Sequence, residues 1–99
     1  MAFEMLVGLN VVDQEAYARY RAGMTPLLEA AGGTFAHDFE VARTLKTAAT
    51  HDINRVFVIR FPDRATRDQF FSSPAYLAVR EQFFAVSVKG ASRLAEYEC

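Results

Sequence analysis

Cysteine is nearly absent from this chain: Cys99, the last of its 99 residues, is the only one. It has no partner for an internal disulfide and none for a zinc site, so neither kind of staple is expected to hold the fold. Tryptophan is missing altogether. No run of Lys and Arg offers a stripe that could track phosphates. The formal net charge is −1, with acids and bases interspersed, which argues against nucleic acid as a partner. The opening residues, MAFEMLVGLNVV, lack the basic start and long apolar core of a signal peptide. No apolar run is long enough to span a bilayer, so a membrane is not an expected partner and a cytoplasmic location is the default. There is no glycine-rich phosphate loop. The two histidines, His37 and His51, leave no Ser/His/Asp order to read, and no His/Cys/Asp cluster has metal-ligand spacing. No cofactor and no metal are expected.

What is present is a globular composition, 52% apolar and 23% charged, on a chain long enough for one domain spanning residues 1–99. A domain of this size buries roughly two thirds of the surface its unfolded chain exposes. FEMLVGLNVV alternates, with Phe3, Met5, Val7, Leu9 and Val11 on one face, which is a strand pattern. Asp13 then reads as a helix N-cap, and Tyr17, Tyr20, Met24, Leu27 or Leu28, and Ala31 recur at helical spacing. Pro26 predicts a kink or a break, and Gly32-Gly33 a stop. TFAHDFEVA is a second strand whose polar content suits an edge, with Phe35, His37, Phe39 and Val41 expected on one face. The polar connection RTLKTAATHDIN leads to a third strand, RVFVIRFPD, with Phe57, Ile59 and Phe61 on one side and Val56, Val58 and Arg60 on the other.

The pattern then repeats. Asp63 caps a second helix and is expected to pair with Arg67 on its outer side, one turn on. Ser73-Pro74 restarts the helix, with Tyr76, Val79 or Arg80, Phe83 and Val86 as its inner stripe. Gly90 is expected to close that segment before a last edge strand, ASRLAEYE. Strand–helix–strand, twice over, predicts an α+β fold: a ferredoxin-like βαββαβ unit with an antiparallel sheet, strands one and three central, and the helices on one face. The other face would carry Leu6, Gly8, Val56 and Val58, with Glu4, Asn10 and Arg60 toward its ends. An apolar face of that kind calls for a cover, and a second copy of the chain is the simplest one. Arg60 would then lie at the margin of the interface, pairing with Glu4 or Asp38 or facing a cleft.

VVDQEAYARY, GGTF, IRFPD and SSPAY, in that order, resemble the signatures of domain of unknown function 1330, a bacterial family of the dimeric α/β-barrel superfamily. The resemblance runs through nearly the whole chain. It implies a ferredoxin-like protomer and a homodimer whose sheets close a barrel, and it implies no established activity. Three departures stand out: Arg60 where the family often has an acid, the second strand near His37 where it often has a basic residue, and a longer connection from Arg43 to Asn54. The expected function is binding of a small, anionic molecule in a cleft between sheet and helices, with Arg60, His37, Tyr20 and Asn10 as candidate ligand-binding residues. A guanidinium can hold a carboxylate by two parallel N–H bonds, and a tyrosine hydroxyl can orient a polar group. The alternative, by superfamily analogy, is a small cofactor-independent enzyme of monooxygenase or isomerase type.

Overall fold

A computed structural model describes residues 1–99. Strands β1 (Phe3–Val11), β2 (Thr34–Glu40), β3 (Arg55–Phe61) and β4 (Val88–Glu98) and helices α1 (Gln14–Ala30), α2 (Arg64–Ser72) and α3 (Pro74–Ser87) follow in the order β1-α1-β2-β3-α2-α3-β4. The sheet has the order β2-β3-β1-β4 and every pairing is antiparallel, so β1 and β3 are central. This is the expected ferredoxin-like arrangement, with two helices in the second crossover.

The local chemistry accounts for the helix ends. The Asp13 carboxylate accepts the Ala16 N–H at 3.0 Å, and Asp63 does the same for Thr66 at 2.7 Å, so each fills an otherwise orphaned donor of a first turn. Ser73 caps α3, and Pro74 follows it in the first turn. Gly32, at φ +86°, makes the left-handed turn after α1 that a side chain would resist. Pro26 does not break α1. It lies on the exposed side, where water can serve the carbonyl left without a donor.

One side of the sheet carries the core. Phe3, Met5, Val7, Leu9 and Val11 of β1, and Phe57, Ile59 and Phe61 of β3, pack under Tyr17, Tyr20, Met24 and Leu28 of α1, Phe70 of α2 and Tyr76 of α3. Truncating one of these, such as the fully buried Phe61, to alanine would cost about 3–5 kcal/mol in transfer and cavity terms. The inner stripe of α3 differs from expectation at its end. Val86 is exposed and Ser87 is buried, because Ser87 turns its hydroxyl back onto the Phe83 and Phe84 carbonyls as the helix hands over to β4.

Three register shifts depart from simple alternation, one in β2 and two in β4. In β2, Phe35 pairs with Ile59 but His37 pairs with Val58, so Ala36 is an extra residue. The bulge separates residues expected to share a face. Phe35 lies on the helix side with Ile59, His37 and Phe39 on the open side with Val58 and Val56, and Asp38 opposite Phe57 beneath the helices. In β4, Leu94 is extra between the partners of Leu6 and Val7, and its side chain comes over Gly8 on the open face.

The connection from Val41 to Asn54 folds back on that open face. Ile53 is buried over Gly8, where an added Cβ would stand 2.9 Å from Ile53 Cδ1. The His51 ring occupies the space of a Cβ at Gly90. Gly90 therefore does not end a helix: it lies within β4 and seats the connection. His51 Nδ1 donates to its neighbour's carbonyl at Asp52, which fixes the tautomer, and Nε2 accepts from the Ser92 hydroxyl, each at 2.8 Å. The Thr44 hydroxyl donates to the Ile53 carbonyl at 2.7 Å and accepts the Ile53 N–H at 2.9 Å. The Asn54 side chain bridges the Val11 N–H and C=O, both at 2.8 Å.

Gly90→Ala should force His51 off the sheet and cost about 1–3 kcal/mol, the usual range for overpacking. Adding His51→Ala should recover most of that loss. Urea unfolding of the two single variants and the double variant checks the coupling.

Candidate functional site

Charged side chains gather in two places on the helix side of the sheet. At the β2 edge, the bulge brings Asp38 under α1, where two guanidiniums meet it. Arg55 donates through Nε and Nη2 at 2.8 and 2.9 Å, and Arg21 through Nη1 and Nη2 at 3.1 Å each. Arg21 lies 3.8 Å above the Phe35 ring and donates from Nε to the Tyr17 hydroxyl at 2.8 Å. The Arg55 hydrogen bonds, joined by those from Arg21, hold the Asp38 carboxyl below the ordinary carboxylate range. Every acceptor position of Asp38 is taken by the protein's own cations, so this cluster ties the edge strand to α1.

The second gathering borders a cleft. Between α2 and β4 lies an open pocket of about 450 Å³ lined by Met5, Arg67, Asp68, Phe71, Ser72 and Arg93. Arg67 does not pair outward with Asp63, as its spacing predicted. It is buried, 8% exposed, with its guanidinium 4.7 Å from the Phe3 ring centre. It donates from Nε to Asp68 at 2.7 Å and from Nη1 to Glu96 at 2.5 Å. Arg93 donates to the same Glu96 oxygen at 3.2 Å. Burial pushes the Glu96 carboxyl up, but the two guanidiniums outweigh it and leave its pKa below the ordinary value. Nη2 of Arg67, and Nε and Nη2 of Arg93, make no hydrogen bond within the chain. The pocket thus has an apolar floor and wall in Met5 and Phe71, a fixed cation inside, and a second cation, two-thirds exposed, at its mouth.

The four residues singled out from the sequence are not brought together. Arg60 projects from the open face, half exposed, and pairs with Glu4 of β1 at 3.5 Å. Glu4 also accepts from the Tyr97 hydroxyl at 2.8 Å. Asp38, the other partner considered for Arg60, is on the opposite face. His37 is exposed on the open face and stacks on Phe39, with ring centres 6.0 Å apart at 11°. Tyr20 is buried among the helices. Its hydroxyl lies 2.7 Å from that of Tyr76, and its ring meets Phe84 edge-on. Burial pushes the Tyr20 phenol far above its usual range and Tyr76 upward too, so the pair stays protonated. Asn10, partly exposed at the far end of β1, lines a separate pocket with the Val41–Asn54 connection. No three His, Cys, Asp or Glu side chains converge as a metal site, and no helix is long and apolar enough to cross a membrane.

Arg67, Arg93 and Glu96 were missed because their signal is faint. A strand carrying Arg93 and Glu96 on the side the helices should cover asks for charged partners from a helix, and Arg67 on α2 is that partner.

The chain belongs to the family described as domain of unknown function (DUF1330), whose model matches residues 5–94. No curated protein matches it. Among solved structures it is similar to RPA0582, a protein of unknown function from Rhodopseudomonas palustris, at 19% identity and TM-score 0.79, covering 99% of this chain and 82% of that one. A dimeric ferredoxin-like protein of unknown function from Jannaschia sp. CCS1 matches at 16% identity and TM-score 0.62, over 100% of both chains. A candidate antibiotic biosynthesis monooxygenase from Nitrosomonas europaea matches at 12% identity and TM-score 0.63, covering 99% and 89%. At these identities the likeness is one of fold.

Asp38→Asn should loosen β2 and α1 together, because two guanidiniums lose their shared counter-charge. A loss of roughly 1 kcal/mol fits a partly exposed network. The sign of the pH effect follows from the lowered pKa. The stabilisation is complete above the unfolded carboxylate value of about 4 and is lost as pH falls through the lower folded value. Denaturation followed from neutral to acid pH should therefore show a steeper acid decline in wild type than in Asp38→Asn. Parallel profiles would contradict this.

Proposed function

We propose that the protein binds a small carboxylate with an apolar body in the cleft between α2 and β4, and that it does so as a homodimer. The carrying observation is Arg67: a nine-tenths buried guanidinium, fixed by two carboxylates, that lines an open pocket and keeps donors to spare. Removing such a cation from water is costly, and its own carboxylates offset that cost. The four charges around the pocket, Arg67, Arg93, Asp68 and Glu96, sum to zero, which favours a monoanion over a phosphate dianion. Phe71 and Met5 offer surface to the rest of the ligand.

The enzyme alternative draws on the fold shared with the candidate monooxygenase. The cleft favours binding over catalysis, because its inner carboxylate, Glu96, is a weak base engaged by two cations.

In a thermal-shift and calorimetric screen of small aliphatic and aromatic carboxylic acids, wild type should bind at least one. Arg93→Leu should weaken it about tenfold or more while the melting temperature without ligand hardly changes. Arg60→Leu should bind as wild type does. Loss of binding in Arg60→Leu, with Arg93→Leu unaffected, would move the anion site to the open face and overturn the assignment.

The homodimer is supported by apolar side chains left on the open face, Phe39, Leu94 and Tyr97, which are 55%, 43% and 42% exposed. A similar protein is described as dimeric. Sedimentation equilibrium at micromolar concentration should give a dimer for wild type and a monomer for Leu94→Glu. Leu77→Glu, on the exposed side of α3, should remain dimeric.

A further inference from the structure

A second pocket, of about 280 Å³, lies on the other side of the molecule from the Arg67 cleft, where the end of β1 meets the Val41–Asn54 connection. Its lining includes Asn10, Arg43, Thr44, Asp52, Ile53 and Asn54. The walls are held from several directions. The Thr44 hydroxyl spans the N–H and C=O of Ile53. The Asn54 side chain spans those of Val11, while its backbone N–H reaches the Leu9 carbonyl at 2.9 Å. The Val41 N–H donates to the Asn54 carbonyl at 2.8 Å. His51, seated on Gly90, holds the Asp52 carbonyl. The backbone of the pocket is therefore set before a ligand arrives.

Against these locked walls, three side chains are uncommitted. The Asn10 amide, the Arg43 guanidinium and the Asp52 carboxylate make no hydrogen bond and no ion pair in the chain. Arg43 and Asp52 carry opposite charges and line the same small pocket, yet they do not reach the 4.0 Å of an ion pair. A molecule carrying both charges can satisfy both at once. An anion alone would meet Asp52, and a cation alone would meet Arg43.

We propose that this pocket binds a small zwitterion of the amino-acid type, with its carboxylate on Arg43, its ammonium on Asp52 and the Asn10 amide hydrogen-bonded beside them. Arg43 and Asp52 are both exposed, so water screens each contact, and affinity in the millimolar range is expected. His51 is a positioning residue: it touches no ligand and acts by holding Asp52.

The test is a titration of the intact, isotopically labelled chain with glycine, β-alanine and 4-aminobutyrate, followed through its backbone amide resonances. Acetate and methylammonium serve as single-charge controls. One of the three amino acids should shift the amides of Asn10, Arg43 and Asp52 saturably, at concentrations where neither control does. Arg43→Gln and Asp52→Asn should each weaken binding about tenfold, with melting temperatures unchanged. His51→Ala should weaken it less and broaden the Asp52 resonance. Arg93→Leu should leave it intact, which separates this pocket from the α2–β4 cleft. Equal binding of acetate or methylammonium, no saturable shift from any amino acid, or wild-type binding by both charge variants would overturn the proposal.

Discussion

Four strands make a sheet with two faces, and three helices cover one of them. This imbalance governs the rest of the molecule. The central strands answer it with asymmetry. Their helix-side residues are large and fully buried, Phe3, Leu9, Ile59 and Phe61 among them. Their open-side residues, Leu6, Gly8, Val56 and Val58, are smaller and alternate strictly with the first set. The chain then uses its own connection to cover part of what the helices leave. Ile53 and His51 come down where Gly8 and Gly90 leave no side chain in the way. The two glycines, which would weaken a strand on propensity alone, are thereby explained by close approach. Toward the β2 and β4 edges, Phe39, Leu94 and Tyr97 remain exposed, and the proposed dimer rests on this remainder.

Much of this was legible in the sequence because it rests on short-range rules. A strand of period two, an aspartate before a helical stripe, and serine-proline ahead of a third helix each depend on residues a few positions apart, and each fell where the pattern put it. The misplaced face of β2 came from a single-residue insertion. One extra residue at Ala36 reverses the parity of everything after it in β2, moving Asp38 inward and His37 outward. Nothing in TFAHDFEVA marks the insertion. Gly90 misled for a related reason. Glycine is the usual helix stop, but here it is needed by His51, a residue 39 positions earlier. Contacts of that range leave no local trace.

The charged residues divide in a similar way. Glu15 and Arg19 pair one turn apart on an exposed helix face, as spacing alone predicts, at 2.8 Å. Arg67 obeys a different rule. Asp63, one turn before it, is occupied in capping α2. Glu96, across the groove on β4, offers a carboxylate on the side of the sheet that α2 covers. The guanidinium follows the better acceptor and brings a charge into the interior. Arg60 had an analogous choice between Glu4 and Asp38, and the bulge in β2 removed one option by turning Asp38 to the other face. Register therefore decided both which arginine became structural and which pocket acquired a cation.

The same logic separates holding from binding. Asp38 is surrounded by two guanidiniums that use its oxygens fully, and no ligand could enter without breaking bonds that tie β2 to α1. The Tyr20–Tyr76 pair is likewise closed, its hydroxyls turned to each other inside the core. Arg67 differs in one respect: its carboxylates hold it by Nε and Nη1, Nη2 makes no hydrogen bond within the chain, and the residue lines open volume. A side chain fixed by some of its atoms and unsatisfied at others meets the requirement of recognition, since its geometry is set before the ligand arrives and its remaining hydrogen bonds are made only with it. By that criterion the sheet's buried polar groups sort themselves. Saturated ones stabilise the fold, and the partly saturated one beside open volume is the one on which the proposed ligand site rests.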